Sequence, residues 1–283
     1  MMILVTGGDG QLGSALRLAS ADSSHRYIFT DITELDITSA EAIEKFVKAN
    51  SVDIIVNCAA YTAVDKAESE ESKVEEINHK AVATLAEVCK HNNATLIHIS
   101  TDYIFSGEAD APYTEEDSSA PINAYGRTKL AGEKAIAESG CNAIILRTSW
   151  LYSEFGHNFC KTIRELTATR SEIKVVTDQF GTPTYAGDIA ETIVEIIDSE
   201  QYTKFGTYNY SNEGVCSWYD FACEIAQQSG NNECKITPCS TADYPTKAQR
   251  PRYSALDKSK IKATFGITIS AWQESLAKCI KKF

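Results

Sequence analysis

Thr6-Gly7-Gly8-Asp9-Gly10-Gln11-Leu12-Gly13 directly follows the apolar run Ile3-Leu4-Val5 and directly precedes the helical pattern Ser14-Ala15-Leu16-Arg17-Leu18. Glycines at 7, 10 and 13 permit a tight turn, a close approach of backbone to a pyrophosphate, and close packing of the helix on the strand. The helix N-terminus then faces the phosphates with free N–H groups and a favourable dipole. A glycine triplet alone is a weak signal, because Gly-rich turns are common between strands and helices. Here Asp31 closes a second strand about twenty residues on, where a carboxylate accepts from ribose hydroxyls. The stretch therefore predicts a dinucleotide site containing Gly7, Gly10, Gly13 and Asp31. A carboxylate at Asp31 repels a 2′-phosphate and Asp9 adds to that repulsion, so charge favours NADH over NADPH, with Arg17 as a nearby compensating cation.

The same alternation continues along the chain. Ile3 to Thr6, Tyr27 to Thr30, Ile54 to Asn57, Leu96 to Ser100 and Ala143 to Arg147 are strand-like, rich in β-branched residues and bounded by polar breaks. Between them Gly10 to Ala19, Ser39 to Ala49, Ser72 to Asn92 and Ala124 to Ser139 carry apolar residues at helical spacing. Strand, helix, strand, helix predicts an α/β fold of the Rossmann-like, doubly wound parallel type, because parallel neighbours need a crossover. Such sheets bind ligands beyond the carboxyl ends of their strands. All six prolines lie at or beyond Pro112. Residues 1–150 read as the dinucleotide-binding domain, with the sheet completed by parts of 151–210, near Ile173 to Val176. Residues 151–283 read mainly as a smaller α/β substrate-binding lobe, without a sharp boundary.

Composition bounds the rest. The chain has 283 residues, 43% hydrophobic and 23% charged, with a formal net charge of −12. Those values exclude fibrous, low-complexity and largely disordered classes. The acidic excess argues against binding a nucleic acid polymer, whose affinity comes from Lys and Arg on phosphates. No apolar stretch reaches membrane-spanning length and the N-terminus does not read as a secretory signal, which predicts a cytoplasmic protein with no membrane partner. The nine cysteines are odd in number and contain no Cys-x-x-Cys pair. They read as reduced core residues, since the spacings among Cys216, Cys223, Cys234 and Cys239 match no familiar zinc pattern.

Tyr125 and Lys129 stand four apart in Ala124-Tyr125-Gly126-Arg127-Thr128-Lys129-Leu130-Ala131-Gly132-Glu133, so both project from one helix face. An adjacent ammonium stabilises a phenolate and lowers the phenol pKa toward a useful range, which is the effect expected of Lys129 on Tyr125. By chance alone the pair would mean little. Ile99-Ser100-Thr101-Asp102-Tyr103 ends a strand with hydroxyls at the ligand-facing edge. Thr101 is placed to donate to a substrate carbonyl oxygen while Tyr125 protonates it and hydride reaches the carbon.

Thr101, Tyr125 and Lys129, with the Gly-x-x-Gly-x-x-Gly loop, resemble the extended short-chain dehydrogenase/reductase superfamily. In that superfamily an Asp-apolar pair flanks the adenine, matched by Asp36-Ile37, and a small-residue turn lies on the cofactor, matched by Asn57-Cys58-Ala59-Ala60. An Asn is expected in the next helix, and Asn78 holds that place. Further blocks narrow the likeness: Ala60-Tyr61-Thr62-Ala63-Val64-Asp65, Arg147-Thr148-Ser149-Trp150-Leu151-Tyr152, Asp178-Gln179-Phe180-Gly181-Thr182-Pro183-Thr184, Ser217-Trp218-Tyr219-Asp220-Phe221-Ala222 and Arg250-Pro251. In order over almost the whole chain, they resemble the dTDP-4-dehydrorhamnose reductase family.

That resemblance implies NAD(P)H-dependent reduction of the 4-keto group of a dTDP-sugar to dTDP-L-rhamnose. It implies cofactor contacts at Gly10, Gln11, Leu12, Asp31, Asp36, Ile37, Ala59, Ala60, Tyr61, Thr62, Tyr125 and Lys129, and substrate contacts at Thr101, Asp102, Tyr103 and Trp150. Trp150 offers an aromatic face to the apolar side of a deoxysugar. Arg250 suits the diphosphate as a bidentate donor, or else a surface salt bridge. Tyr61 departs from the family, which commonly has His there, and the segment 153–157 is short. The scaffold also serves a non-catalytic regulatory subunit of methionine adenosyltransferase and other nucleotide-sugar reductases and epimerases. Retention of Thr101, Tyr125, Lys129 and Trp150 together favours catalysis. A homodimer and a carboxylate-bound Mg2+ are compatible with the sequence, which places neither.

Overall fold

The computed structural model describes residues 1–283. Its central sheet has six strands, all parallel. β1 (Met2–Thr6) lies between β2 (Arg26–Thr30) and β3 (Ile54–Asn57), followed outward by β4 (Thr95–Thr101), β5 (Ala143–Thr148) and an edge strand Gly206–Asn209. The chain runs from β1 to one side, then crosses to β3 on the other. This reversal opens a crevice at the carboxyl ends of β1 and β3.

Strand alternation divides the core. Ile3, Val5, Ile54 and Val56 face the helices Gln11–Ala19 and Ala186–Asp198, whereas Leu4 and Ile55 face Ala40–Asn50 and Ala81–His91. Burial on both faces explains why these strands read as continuous apolar runs rather than alternating ones. Side chains start the helices that matter for the site. Ser39 accepts from the Ala42 N–H at 3.3 Å, and Asn123 accepts from the Gly126 N–H at 2.8 Å.

Two expectations need correction. Glu172–Val176 does not continue the central sheet; it pairs in parallel with Lys235–Cys239 in a separate ladder, and Gly206–Asn209 takes the sixth place. The cause is its one-sided pattern. Ile173 and Val175 are buried while Glu172 and Lys174 are exposed, which suits a ladder covered on one face only. The run Ser72 to Asn92 is not one uniform α-helix. It passes through a π turn at Glu76–Lys80 between the α segments Glu71–Glu75 and Ala81–His91.

A third core, centred on Tyr152, Phe221 and Trp272, underlies the lobe built by Phe159–Thr169, Trp218–Gln228 and Trp272–Ile280. Residues after 150 are nevertheless shared, since Ala186–Asp198, Ile261 and Phe265 pack into a core of the central sheet. All nine cysteines are free thiols, five of them buried. No helix is long and apolar enough to cross a membrane. No group of three or more His, Cys, Asp or Glu side chains is arranged to hold a metal ion.

Candidate active site

A cavity of about 970 Å3 runs from the loop after β1, past the end of β4, to the lobe. Of the residues expected at a site, all line it except Asp31, Asp36, Ile37, Ala59 and Tyr61. Asp31 closes β2, where its carboxylate accepts from the N–H groups of Asp9 (3.1 Å) and Ile32 (2.8 Å). The Asp36 carboxylate is engaged by the Thr38 N–H and hydroxyl at 2.9 and 2.8 Å. Ile37 is buried in the core beneath Ala40–Asn50, with Ala59 packed against that same core. Tyr61 donates its hydroxyl to Glu70 at 3.0 Å, and the Asn78 side chain bridges its backbone N–H and C=O at 2.8 and 3.0 Å. Asn78, unremarkable as a helix residue, thus clamps the loop that follows β3.

The loop after β1 fits a dinucleotide pyrophosphate. A Cβ at Gly13 would lie 2.3 Å from the Gly7 carbonyl oxygen, so only glycine lets the helix start this close to the strand. The helix Gln11–Ala19 has no side-chain cap at Gly10, which leaves its first N–H groups free for an anion. Gln11 itself faces the lobe. Its Oε1 accepts from the Ser153 hydroxyl and the Asn158 amide, each at 2.9 Å, tying the glycine-rich loop to the segment 153–158.

Thr101 ends β4, its hydroxyl accepting from the Tyr103 N–H at 3.2 Å and donating to Asp102 Oδ1 at 3.1 Å. The helix Ala124–Ser139 closes on this strand end through Gly126, where a Cβ would meet the Tyr103 carbonyl oxygen at 2.1 Å. That approach brings Tyr125 onto Tyr103, edge to face with ring centroids 5.8 Å apart. Burial pushes the Tyr125 phenol up to about 12, with the Thr101 hydroxyl pulling the other way. Lys129 is 1% exposed. Its ammonium donates to the Ile99 carbonyl at 2.6 Å and meets His98 Nε2 at 3.2 Å. Burial lowers its pKa to about 8, opposed by Glu133 and Cys58. The expected lowering of the Tyr125 pKa by Lys129 is therefore not present in this arrangement: burial dominates at the phenol, and the ammonium is held toward β4.

Asp102 is 2% exposed, its Oδ2 has no hydrogen-bond partner, and burial raises its pKa to about 7. Arg250 reaches the same cavity, but its guanidinium grips Asp65 at both carboxylate oxygens, at 3.0 and 2.9 Å. Trp150 adopts a left-handed backbone, φ +47°, and its indole lies flat on Trp218. At Gly181 a Cβ would sit 2.7 Å from Trp150 Cε2.

The chain as a whole is similar to known proteins. The model of the family described as RmlD substrate binding domain matches residues 1–283. The chain belongs to the dTDP-4-dehydrorhamnose reductase family. A reductase of that name from Aggregatibacter actinomycetemcomitans is 40% identical, over 97% of this chain and 96% of its own. The crystal structure of a Clostridium acetobutylicum dTDP-4-dehydrorhamnose reductase superposes with a TM-score of 0.95 at 41% identity, covering 100% of this chain and 99% of that one. The Bacillus anthracis reductase, solved in complex with NADP, gives 0.95 at 36% identity with the same coverage.

Within this family member the sequence left several residues at and behind the cavity wall unassigned. Trp218 sits in the motif Ser217 to Ala222, where Ser217 and Asp220 form a capping box, yet its contact with Trp150 is made only by the fold. Asn57 and His98 are polar residues inside apolar strands, a signal that marks them as unusual without naming their partners.

Proposed function

We propose that this protein reduces the 4-keto group of dTDP-4-dehydro-6-deoxy-L-mannose (dTDP-4-dehydrorhamnose), giving dTDP-L-rhamnose. The observation that carries the reading is Thr101, Tyr125 and Lys129 on one cavity wall, in a chain that matches the family from end to end. A reduced nicotinamide supplies the hydride when bound. Gly7, Gly10, Gly13 and the start of the helix Gln11–Ala19 hold its pyrophosphate. Tyr125, kept protonated by burial, gives its proton to O4 as C4 gains the hydride, and water restores that proton afterwards. Thr101 orients the carbonyl oxygen. Lys129, one helical turn away on the same wall, is the ammonium that holds the nicotinamide ribose. Asp102, Tyr103 and Trp150 border the sugar, and Arg250 borders its diphosphate.

Charge at the ribose end favours NADH, because Asp31 and Asp9 stand together there. Arg17, 4.3 Å over the Phe29 ring and 3.9 Å from Asp9, is the nearby cation that offsets this bias. The free thiols suit a reducing cytoplasm. The test is oxidation of NADH and of NADPH with dTDP-4-dehydrorhamnose, with the sugar product identified by proton NMR. Formation of dTDP-L-rhamnose supports the reading. Dinucleotide binding without turnover would favour a regulatory subunit instead, and a homodimer is tested by light scattering of the same sample.

A further inference from the structure

A chain of buried polar groups behind Lys129 has no part in the reaction as described. His98 lies on β4 with no exposed surface, and its Nε2 is 3.2 Å from Lys129 Nζ. On the other side of the ring, Asn57 Nδ2 lies 3.0 Å from Nδ1, and Asn57 Oδ1 accepts from the Thr6 hydroxyl at 2.7 Å. Thr6, Asn57 and His98 come from the neighbouring strands β1, β3 and β4, and each is at most 1% exposed. Their strand neighbours Val5, Val56 and Ile97 are apolar, so packing alone does not call for three polar side chains in a row.

The chemistry at the ends fixes the direction of the bonds. An ammonium only donates, so the imidazole nitrogen facing it must be a bare acceptor. Nδ1 then carries the ring proton, which requires the Asn57 amide to turn over from the orientation with Nδ2 at Nδ1, bringing its carbonyl oxygen to Nδ1 and its NH2 to the Thr6 hydroxyl oxygen; the hydrogen-bond network is what tells the two amide ends apart. The reverse order points one N–H at another across 3.2 Å. Burial, with Lys129 adding to it, keeps the imidazole neutral, its pKa well below the ordinary histidine value.

We propose that His98 is a positioning residue for the reduction: its neutral Nε2 accepts the Lys129 ammonium and, with the Ile99 carbonyl, fixes that charge one helical turn from Tyr125, in a tautomer set by Asn57 and Thr6. Glu133 on the same helix and Cys58 after β3 act on the same ammonium, and Arg147 of β5 is taken up by Glu133 at 2.7 Å. Removing the imidazole acceptor leaves the buried ammonium with one partner fewer, which lowers its pKa.

Two measurements test this, and only the kinetic one rests on the reductase reading. In the first, nitrogen-15 NMR of histidine-labelled protein follows the one of five histidines whose signals vanish in His98→Gln, between about pH 6 and 8. A protonated Nδ1 with a bare Nε2, unchanged across that range, is expected; an imidazolium or the opposite tautomer overturns the proposal. In the second, His98→Leu keeps bulk and removes the acceptor, while His98→Gln keeps a carbonyl oxygen near the place of Nε2. The Leu variant is expected to lose about 10-fold or more in kcat with KM for the nucleotide sugar within about twofold, and the alkaline limb of kcat moves down by about one pH unit. The Gln variant recovers most of the rate and the limb. Equal losses in both variants with an unmoved limb would show a purely structural role. If the Leu variant does not fold, the wild-type His98 tautomer decides.

Discussion

The Trp150 indole lies on Trp218 with ring centroids 3.6 Å apart and planes 10° apart. Trp150 reaches this place through a left-handed backbone that only a well-packed neighbourhood sustains in a bulky residue. Gly181 completes the seat by leaving the indole edge uncrowded.

Gly181→Ala therefore displaces Trp150. The expected outcome is a rise in KM for the nucleotide sugar of about fivefold to 10-fold, matching loss of about 1 kcal/mol of aromatic packing. Unaltered KM, measured by cofactor oxidation, would show that the indole does not border the substrate.

Asp102 predicts a pH-dependent stability. Its folded pKa, about 7, lies above the ordinary value of 3.8, so the folded state binds more protons than the unfolded one between those values. Stability contributed by this group is full below about pH 4 and lost as pH rises through 7. Asp102→Asn, which stays neutral, is expected to be more stable than wild type by up to about 4 kcal/mol at pH 8, the gap closing near pH 4. Urea denaturation at the two pH values checks it.

The Arg147–Glu133 pair is buried, at 8% and 6% side-chain exposure. Glu133→Ala strands the guanidinium, and a loss of about 3–5 kcal/mol in denaturant unfolding is expected. Loss below about 1 kcal/mol would mean that water reaches Arg147.

Asp31→Ala removes a carboxylate from the ribose end. The preference for NADH over NADPH, read as a ratio of kcat/KM values, is expected to fall by about fivefold, the worth of one charge contact in water. A ratio that does not move assigns cofactor choice elsewhere.

The glycine-rich turn and the Tyr125–Lys129 helix face were legible in the sequence because their geometry is local: three glycines set a turn, and a spacing of four sets a helix face. The sheet strands β1 to β5 were legible for the same reason, as short apolar runs between polar breaks. Glu172–Val176 shows the limit, since a strand pattern does not say which strand is its neighbour. The π turn at Glu76–Lys80 escaped because apolar periodicity is nearly unchanged by one widened turn. His98 meets Asn57 and Lys129 across 41 and 31 residues, and Trp218 meets Trp150 only after the lobe has folded. The effect of Lys129 on Tyr125 was misjudged because spacing gives proximity but not which way an ammonium turns once Ile99 and His98 offer acceptors.

The most direct test of the reductase reading is single-turnover oxidation of NADH with dTDP-4-dehydrorhamnose, comparing wild type with Tyr125→Phe. Loss of the phenolic proton is expected to slow the step by about 100-fold or more while dinucleotide binding, followed by fluorescence, is preserved. An equal rate in the two proteins would contradict proton delivery by Tyr125 and, with it, the chemistry assigned to this cavity.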